Sequence, residues 1–200
     1  MKLKGIVLII LAFCAPISIF LTDLAVFSLA AIWLFEGRFS DKWKKISASP
    51  WILSLLFLMF IYVIGLLWGT NHSNADWLFQ KSALLLLLPI LYTLDLSQKE
   101  IKFSLFAFLS ATSLSAIIAL MINIGWIKHL FKYSSLFTKN WNNPAFMAYT
   151  DHNVFLAFSL LVTFLLLFNS YSNKKLRITL LFISTLLLLS LYAEKGRSGQ

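Results

Sequence analysis

Apolar residues fill long blocks of this sequence, and short polar segments separate the blocks. The charge-free stretches are residues 5–22, 46–75, 82–94, 103–127, 153–173 and 178–193. A helix of about 20 apolar residues crosses the hydrocarbon core of a bilayer, and about 17 to 25 are tolerated. Several blocks reach this length, so the pattern predicts an all-α integral membrane protein with one membrane domain over residues 1–200.

Five spans are clear from the pattern. They cover residues 51–69, 77–94, 103–124, 153–168 and 176–193. Aromatic residues prefer the membrane–water boundary. Those near the predicted span ends are Trp51, Trp68, Trp77, Tyr92, Trp126, Tyr171 and Tyr192.

The first apolar run, residues 5–36, is interrupted near its middle. Pro16 cannot donate a helix hydrogen bond, and Thr22-Asp23 supplies a charge together with an N-cap residue. The run is either a hairpin of two short helices, about 5–20 and 23–36, or one tilted helix. Lys2 and Lys4 before it resemble the start of a signal peptide, but no small-x-small cleavage site follows, so we expect the segment to stay in the membrane.

The distribution of Lys and Arg favours the hairpin. With the N-terminus inside, the cytoplasmic segments hold Lys2, Lys4, Arg38, Lys42, Lys44, Lys45, Lys99, Lys102, Lys174, Lys175 and Arg177, and the other side holds Lys81, Lys128, Lys132, Lys139, Lys195 and Arg197. A single first span divides these residues almost evenly. The positive-inside rule therefore predicts about seven transmembrane helices, including the short N-terminal helical hairpin, in the inner membrane with the N-terminus cytoplasmic.

Composition agrees with this prediction. Hydrophobic residues make up 60% of the chain and charged residues 12%, against about 25% charged in soluble domains. The formal net charge of +9 would suggest nucleic acid in a soluble protein. Here the cations lie in short connections between apolar blocks, which fits anionic lipid headgroups. We therefore expect membrane lipids as partners, and no nucleic acid.

Cations near the predicted outer surface are candidates for binding an anion. Arg197 lies between Gly196 and Gly199, where the backbone can approach a ligand closely, and its planar guanidinium matches pairs of phosphate oxygens. Lys195 lies two residues away, and Lys81 lies one turn inside the outer end of a predicted span. The alternative for Arg197 and Lys81 is a side chain that snorkels to the interface.

A polar group precedes the sixth predicted span. Asp151 and His152 could act as a base or as a polar clamp, whereas helix capping alone would explain Asp151 or Asn153. His72 is more simply a solvated turn residue. The sequence has no GxxxxGK[ST], HExxH, CxxC or GxSxG signature, which argues against nucleotide hydrolysis, zinc chemistry and serine-esterase chemistry. We expect no metal or cofactor.

Four motifs occur in a specific order along the chain. They are Trp33-Leu34-Phe35-Glu36-Gly37-Arg38-Phe39 after the hairpin; Gly65-Leu66-Leu67-Trp68-Gly69-Thr70-Asn71, followed by Leu78-Phe79-Gln80-Lys81 and Leu87-Leu88-Pro89; Tyr149-Thr150-Asp151-His152-Asn153; and Gly196-Arg197-Ser198-Gly199. In this order they resemble the O-antigen ligase family of polytopic glycosyltransferases, which includes O-antigen polymerases of related architecture. The resemblance covers essentially the whole chain.

The resemblance implies transfer of a polysaccharide from undecaprenyl diphosphate to a lipid A–core acceptor on the periplasmic face. Arg197 matches the family position expected to bind the diphosphate, with Lys195 and Lys81 as helpers. Family members are considerably longer, and their additional large periplasmic loop supplies another arginine and the histidine that activates the acceptor. We therefore expect this chain to be the N-terminal part of a longer protein and inactive alone. The alternatives are a polymerase, a membrane transporter of lipid-linked sugars, and a non-catalytic membrane scaffold.

Overall fold

The computed structural model describes residues 2–68, 84–126, 146, 149–169 and 174–193, and every regular element within these residues is helical. The α-helices are α1 (Leu3–Cys14), α2 (Ile19–Phe35), α3 (Phe39–Ser47), α4 (Pro50–Trp68), α5 (Leu87–Thr93), α6 (Gln98–Asn123), α7 (Tyr149–Asn169) and α8 (Lys174–Ala193), and a 3-10 turn at Leu84–Leu86 precedes α5. The predicted helical class is confirmed.

Three of these helices, α6, α7 and α8, are long and apolar enough to cross a membrane. A fourth span is reached if α2 and the bent α3 count as one. Between 22% and 39% of the most apolar window of each of the three is buried inside the protein, so most residues of these windows face outward, as in helices that contact lipid. The predicted spans at 103–124, 153–168 and 176–193 are helical, although each helix begins two to five residues earlier than predicted.

The chain divides into two compact units. The first unit contains residues 1–25 and 98–200, and the second contains residues 26–97. In the first unit α6, α7 and α8 form a bundle around two apolar clusters, made of Ala116, Leu156, Leu160 and Leu187, and of Leu109, Val162 and Leu180. These pairings make α7 antiparallel to both α6 and α8.

Helix α1 packs along α6 in the first unit, and the two helices start at the same end. The backbone N–H of Lys2, at the N-cap of α1, donates a hydrogen bond of 3.1 Å to Oε1 of Glu100 in the first turn of α6. Glu100 is buried. Its carboxylate lies against Gly5, where any Cβ atom would overlap it. A carboxylate beside the N-terminus of a helix is favoured by the helix dipole.

The break between α1 and α2 lies earlier than predicted. Helix α1 ends at Cys14 and α2 starts at Ile19, so the turn is centred on Pro16. Ser18 caps α2, because its hydroxyl accepts from the N–H of Leu21 at 3.4 Å, and Thr22 donates back to the Ser18 carbonyl at 2.7 Å. The prediction that Thr22-Asp23 breaks the chain is wrong, since both residues lie within α2. Ser18 therefore takes the N-cap role that was expected of Thr22.

The second unit contains α3, a short helix that the sequence did not predict. Gly37 and Arg38 both have left-handed backbones, with φ of 64° and 49°, a conformation that glycine adopts without strain and other residues adopt rarely. This pair of residues turns the chain by 110° between α2 and α3. Ser49 and Pro50 then start α4, with proline at the first helical position, where its missing N–H costs nothing.

Candidate functional site

Three helix ends meet at one end of the bundle. The amide of Asn123, the last residue of α6, donates to the backbone carbonyl of Ala193, the last residue of α8, at 2.7 Å. Because α7 is antiparallel to both helices, its N-terminal turn lies at this end too. Gly125 closes α6 with φ of 83° and the paired hydrogen bonds of a Schellman motif, Gly125 to Ile122 and Trp126 to Met121.

A buried serine–histidine pair lies just inside these helix ends. Oγ of Ser115 on α6 and Nδ1 of His152 on α7 are 3.2 Å apart. The exposed fractions are 1% for Ser115 and 2% for His152. Either atom can be the donor, depending on the histidine tautomer. A buried imidazole held by a hydroxyl can donate or accept a hydrogen bond with a bound hydroxyl group and can move a proton.

Two further polar groups lie at the same level. Asn153 is one turn before Leu156 on α7, and Ser190 is about one turn after Leu187 on α8; these two leucines share one apolar cluster. Going backward along α7 and forward along α8 leads to the same end of the bundle, because these two helices are antiparallel. Oδ1 of Asn153 and Oγ of Ser190 are buried, and neither has a hydrogen-bond partner among the described residues. Such groups call for a ligand or bound water.

We name Ser115, His152, Asn153 and Ser190 the end cluster. Its groups are a hydroxyl, an imidazole, an amide and a second hydroxyl, which suit the hydroxyls of a sugar. The end cluster contains no lysine or arginine, so it could not by itself neutralise a diphosphate. A site for a lipid diphosphate at this end therefore needs Lys or Arg from a neighbouring segment.

A second polar layer lies deeper in the bundle and is structural. Ser159 on α7 donates to the hydroxyl of Thr112 on α6 at 2.9 Å, and Thr112 and Thr163 also bond to carbonyls of their own helices. Hydrogen bonds between small polar side chains hold helices together in membranes, where every polar group needs a partner. This layer explains the buried hydroxyls without a ligand.

The structure describes two of the five predicted site residues. His152 is buried in the end cluster, whereas Asp151 is exposed in the first turn of α7, where its charge complements the helix dipole. The predicted capping role of Asn153 is wrong, because α7 starts four residues earlier, at Tyr149. The predicted diphosphate-binding residues Lys81, Lys195 and Arg197 lie outside the described residues, as does His72.

Sequence reasoning missed Ser115 and Ser190. A single serine inside an apolar block is common in membrane helices, because its hydroxyl can bond to its own backbone. The only available signal was that Ser115 lies about two and a half turns, and Ser190 about one turn, from the outer ends of their predicted spans. Without the rotation of the helices, neither position distinguishes them from the half-buried Ser113 or the exposed Ser110.

The described residues contain no group of three or more His, Cys, Asp or Glu that could hold a metal ion. No protein-family model, no curated protein and no solved structure matches this chain.

Proposed function

We propose that this chain belongs to a membrane glycosyltransferase of the O-antigen ligase type, which uses a glycan carried on undecaprenyl diphosphate. The supporting observation is that α8 ends at Ala193 beside the end cluster. Arg197 follows Ala193 by four residues, a reach of at most about 14 Å. The proposed site therefore combines the Arg197 guanidinium, for the diphosphate, with the hydrogen-bonding groups of the end cluster, for the sugar attached to that diphosphate.

In this mechanism the cations and the end cluster have separate tasks. Arg197, with Lys195 and Lys81, binds the diphosphate and stabilises the charge that develops as the glycosidic oxygen leaves. His152, held by Ser115, and the amide of Asn153 bind hydroxyls of the sugar next to the diphosphate. The activated lipid diphosphate supplies the leaving group, so the reaction as proposed uses no nucleotide, metal or cofactor.

The proposal includes an orientation. The chain crosses the inner membrane about seven times with its N-terminus in the cytoplasm, which places the end cluster at the periplasmic face. Within each unit, contacts support the grouping of the predicted cytoplasmic segments on a common side. Lys2 contacts Glu100 in the first unit, Arg38 and Lys45 contact Asp95 in the second, and all five residues belong to segments that the charge distribution assigns to the cytoplasm.

The test is glycan transfer in cells whose chromosomal copy carries Arg197→Ala. We expect lipid A–core without attached polymer, together with accumulation of the glycan on undecaprenyl diphosphate. A polymerase would instead leave single repeat units on lipid A–core. Arg177→Ala, at the opposite end of α8, is the matched control and should transfer normally. Normal transfer by Arg197→Ala at equal protein abundance would refute the diphosphate role.

A further inference from the structure

Helix α3 has a buried face and an exposed aromatic face. Lys42 and Ile46 are buried against the protein, whereas Phe39 and Trp43 are 52% and 60% exposed. Phe39 and Trp43 are four residues apart, so they lie on one face of the helix. Ser40, Asp41, Lys44 and Lys45 occupy the remaining, polar face.

The second unit holds α3 rigidly at the end of α2. The ammonium of Lys42 donates to the backbone carbonyl of Trp33 and lies 4.5 Å from the centroid of the Trp33 ring. Lys42 also pairs with Glu36 at 3.6 Å. The Trp33 indole N–H donates to the Thr93 hydroxyl at 2.7 Å. These contacts fix which face of α3 points away from the protein.

Ion pairs on the other side of α3 complete the attachment. Asp95 accepts from Arg38 at 3.3 Å and from Lys45 at 2.7 Å. The side chain of Lys44 is exposed, and its ammonium has no partner among the described residues. An exposed aromatic pair beside lysines on a short helix is typical of helices that lie in the membrane interface.

We infer that α3 is an interfacial helix whose partner is the lipid bilayer itself. Phe39 and Trp43 insert at the boundary between headgroups and acyl chains, and Lys44 remains among the headgroups. The direction of α3 supports this inference. Because α3 turns by 110° from the apolar helix α2, it runs nearly across the direction of a membrane-crossing helix. The inference does not depend on the proposed enzymatic function.

The experiment is spin-label accessibility in the full chain, reconstituted in vesicles of phosphatidylcholine and phosphatidylglycerol. Cys14→Ser removes the only native cysteine, and a nitroxide is then attached at Trp43→Cys. The adjacent Lys44→Cys is the matched control on the polar face, and Ile46→Cys is the protein-packed reference. Collisions with oxygen report lipid, and collisions with a water-soluble nickel chelate report water.

We expect the label at position 43 to collide mainly with oxygen, the label at position 44 mainly with nickel, and the label at position 46 with neither. Nickel collisions at position 43 equal to those at position 44 would place α3 in water and overturn the inference. Low collision rates with both reagents at position 43 would show that protein, such as a second copy, covers this face, and would overturn it too. Phe39→Cys repeats the test in case loss of Trp43 disturbs the helix.

Discussion

Ser115 on α6 and His152 on α7 form a hydrogen bond of 3.2 Å, although they are 37 positions apart in the sequence. Both side chains are buried between helices that are mostly apolar. Ionisable and strongly polar side chains inside membrane bundles are expensive to place, and they mark functional positions by default. The deeper Thr112–Ser159 pair serves helix packing, whereas the Ser115–His152 pair lies at the end where two further polar groups are buried.

Replacing Ser115 with alanine should destabilise the bundle, because Nδ1 of His152 loses its hydroxyl neighbour. We expect the free energy of unfolding to fall by about 0.6 kcal/mol and by no more than about 1.7 kcal/mol, the average and the maximum for side-chain hydrogen bonds in a membrane bundle. Unfolding in mixed detergent micelles with increasing dodecyl sulfate measures this change. Ser110→Ala is the control, because Ser110 is exposed on the same helix and bonds only to the Ala107 carbonyl. Equal stability of the two variants would show that the Ser115–His152 bond contributes nothing.

The Thr112–Ser159 hydrogen bond should show energetic coupling. Thr112→Val and Ser159→Ala each remove one hydroxyl of this pair. If the pair acts as a unit, the double variant loses less stability than the sum of the two single losses. We expect a coupling energy of about 0.6 kcal/mol, and of no more than about 1.7 kcal/mol, in the same unfolding assay. Strict additivity would mean that each hydroxyl is satisfied by its own helix backbone.

Adding one methyl group at Gly5 should disturb the packing of α1 on α6. The Glu100 carboxylate occupies the space of the new Cβ atom, and moving it breaks the hydrogen bond to Lys2 N–H. We expect Gly5→Ala to cost about 1 to 3 kcal/mol, as overpacking does elsewhere. This loss of stability is measured by heating the protein in detergent and recording the decrease of the folded peak in gel filtration.

Gly65→Ala is the matched control for this substitution. Among the described residues, no side chain or other helix lies within 4 Å of a Cβ atom built at Gly65 in α4, and alanine is a better helix former than glycine. We therefore expect equal or higher stability for Gly65→Ala. A loss in Gly65→Ala as large as in Gly5→Ala would point to a general intolerance of the helices rather than to the Glu100 contact.

Removing the charge of Lys42 should destabilise the second unit. Lys42→Met keeps most of the aliphatic stem but loses the hydrogen bond to the Trp33 carbonyl, the contact with the Trp33 ring and the pairing with Glu36. We expect a loss of about 1 to 3 kcal/mol, because these interactions involve a buried charge. Lys44→Met makes the same change at an exposed site of the same helix and should stay within about 0.5 kcal/mol of the parent.

Protease protection measures the Lys42 prediction directly. The bonds around Gly37 and Ser47 flank α3 and should become cleavable at a lower temperature in Lys42→Met than in the parent. If Lys42→Met and Lys44→Met behave alike, the buried lysine does not hold α3 in place.

The sequence by itself determined the class of fold. Blocks of apolar residues long enough to span a bilayer require helices, because only a helix satisfies its own backbone hydrogen bonds in lipid. Local signals also placed several helix ends. Pro16 marked the turn after α1, and the predicted last span ended at residue 193, as α8 does. The helix boundaries at Ser18 and Tyr149 were missed, because Thr22 and Asn153 offered equally good capping residues.

Only the tertiary structure decided which polar residues lie inside. The spanning helices are apolar on nearly all sides, so no periodic pattern reveals the inward face. Packing of α6 against α7 and α8 sets the rotation of each helix, and this rotation brings Ser115 to His152 and buries Ser190. In the same way α3 is held by the contacts of Lys42 with Trp33 and of Lys45 with Asp95. Asp95 lies 50 positions after Lys45, so the sequence does not reveal this contact. Hydrophobicity is a sum over neighbouring residues and can be read locally, whereas the choice of partner for each polar group is a property of the assembled helices.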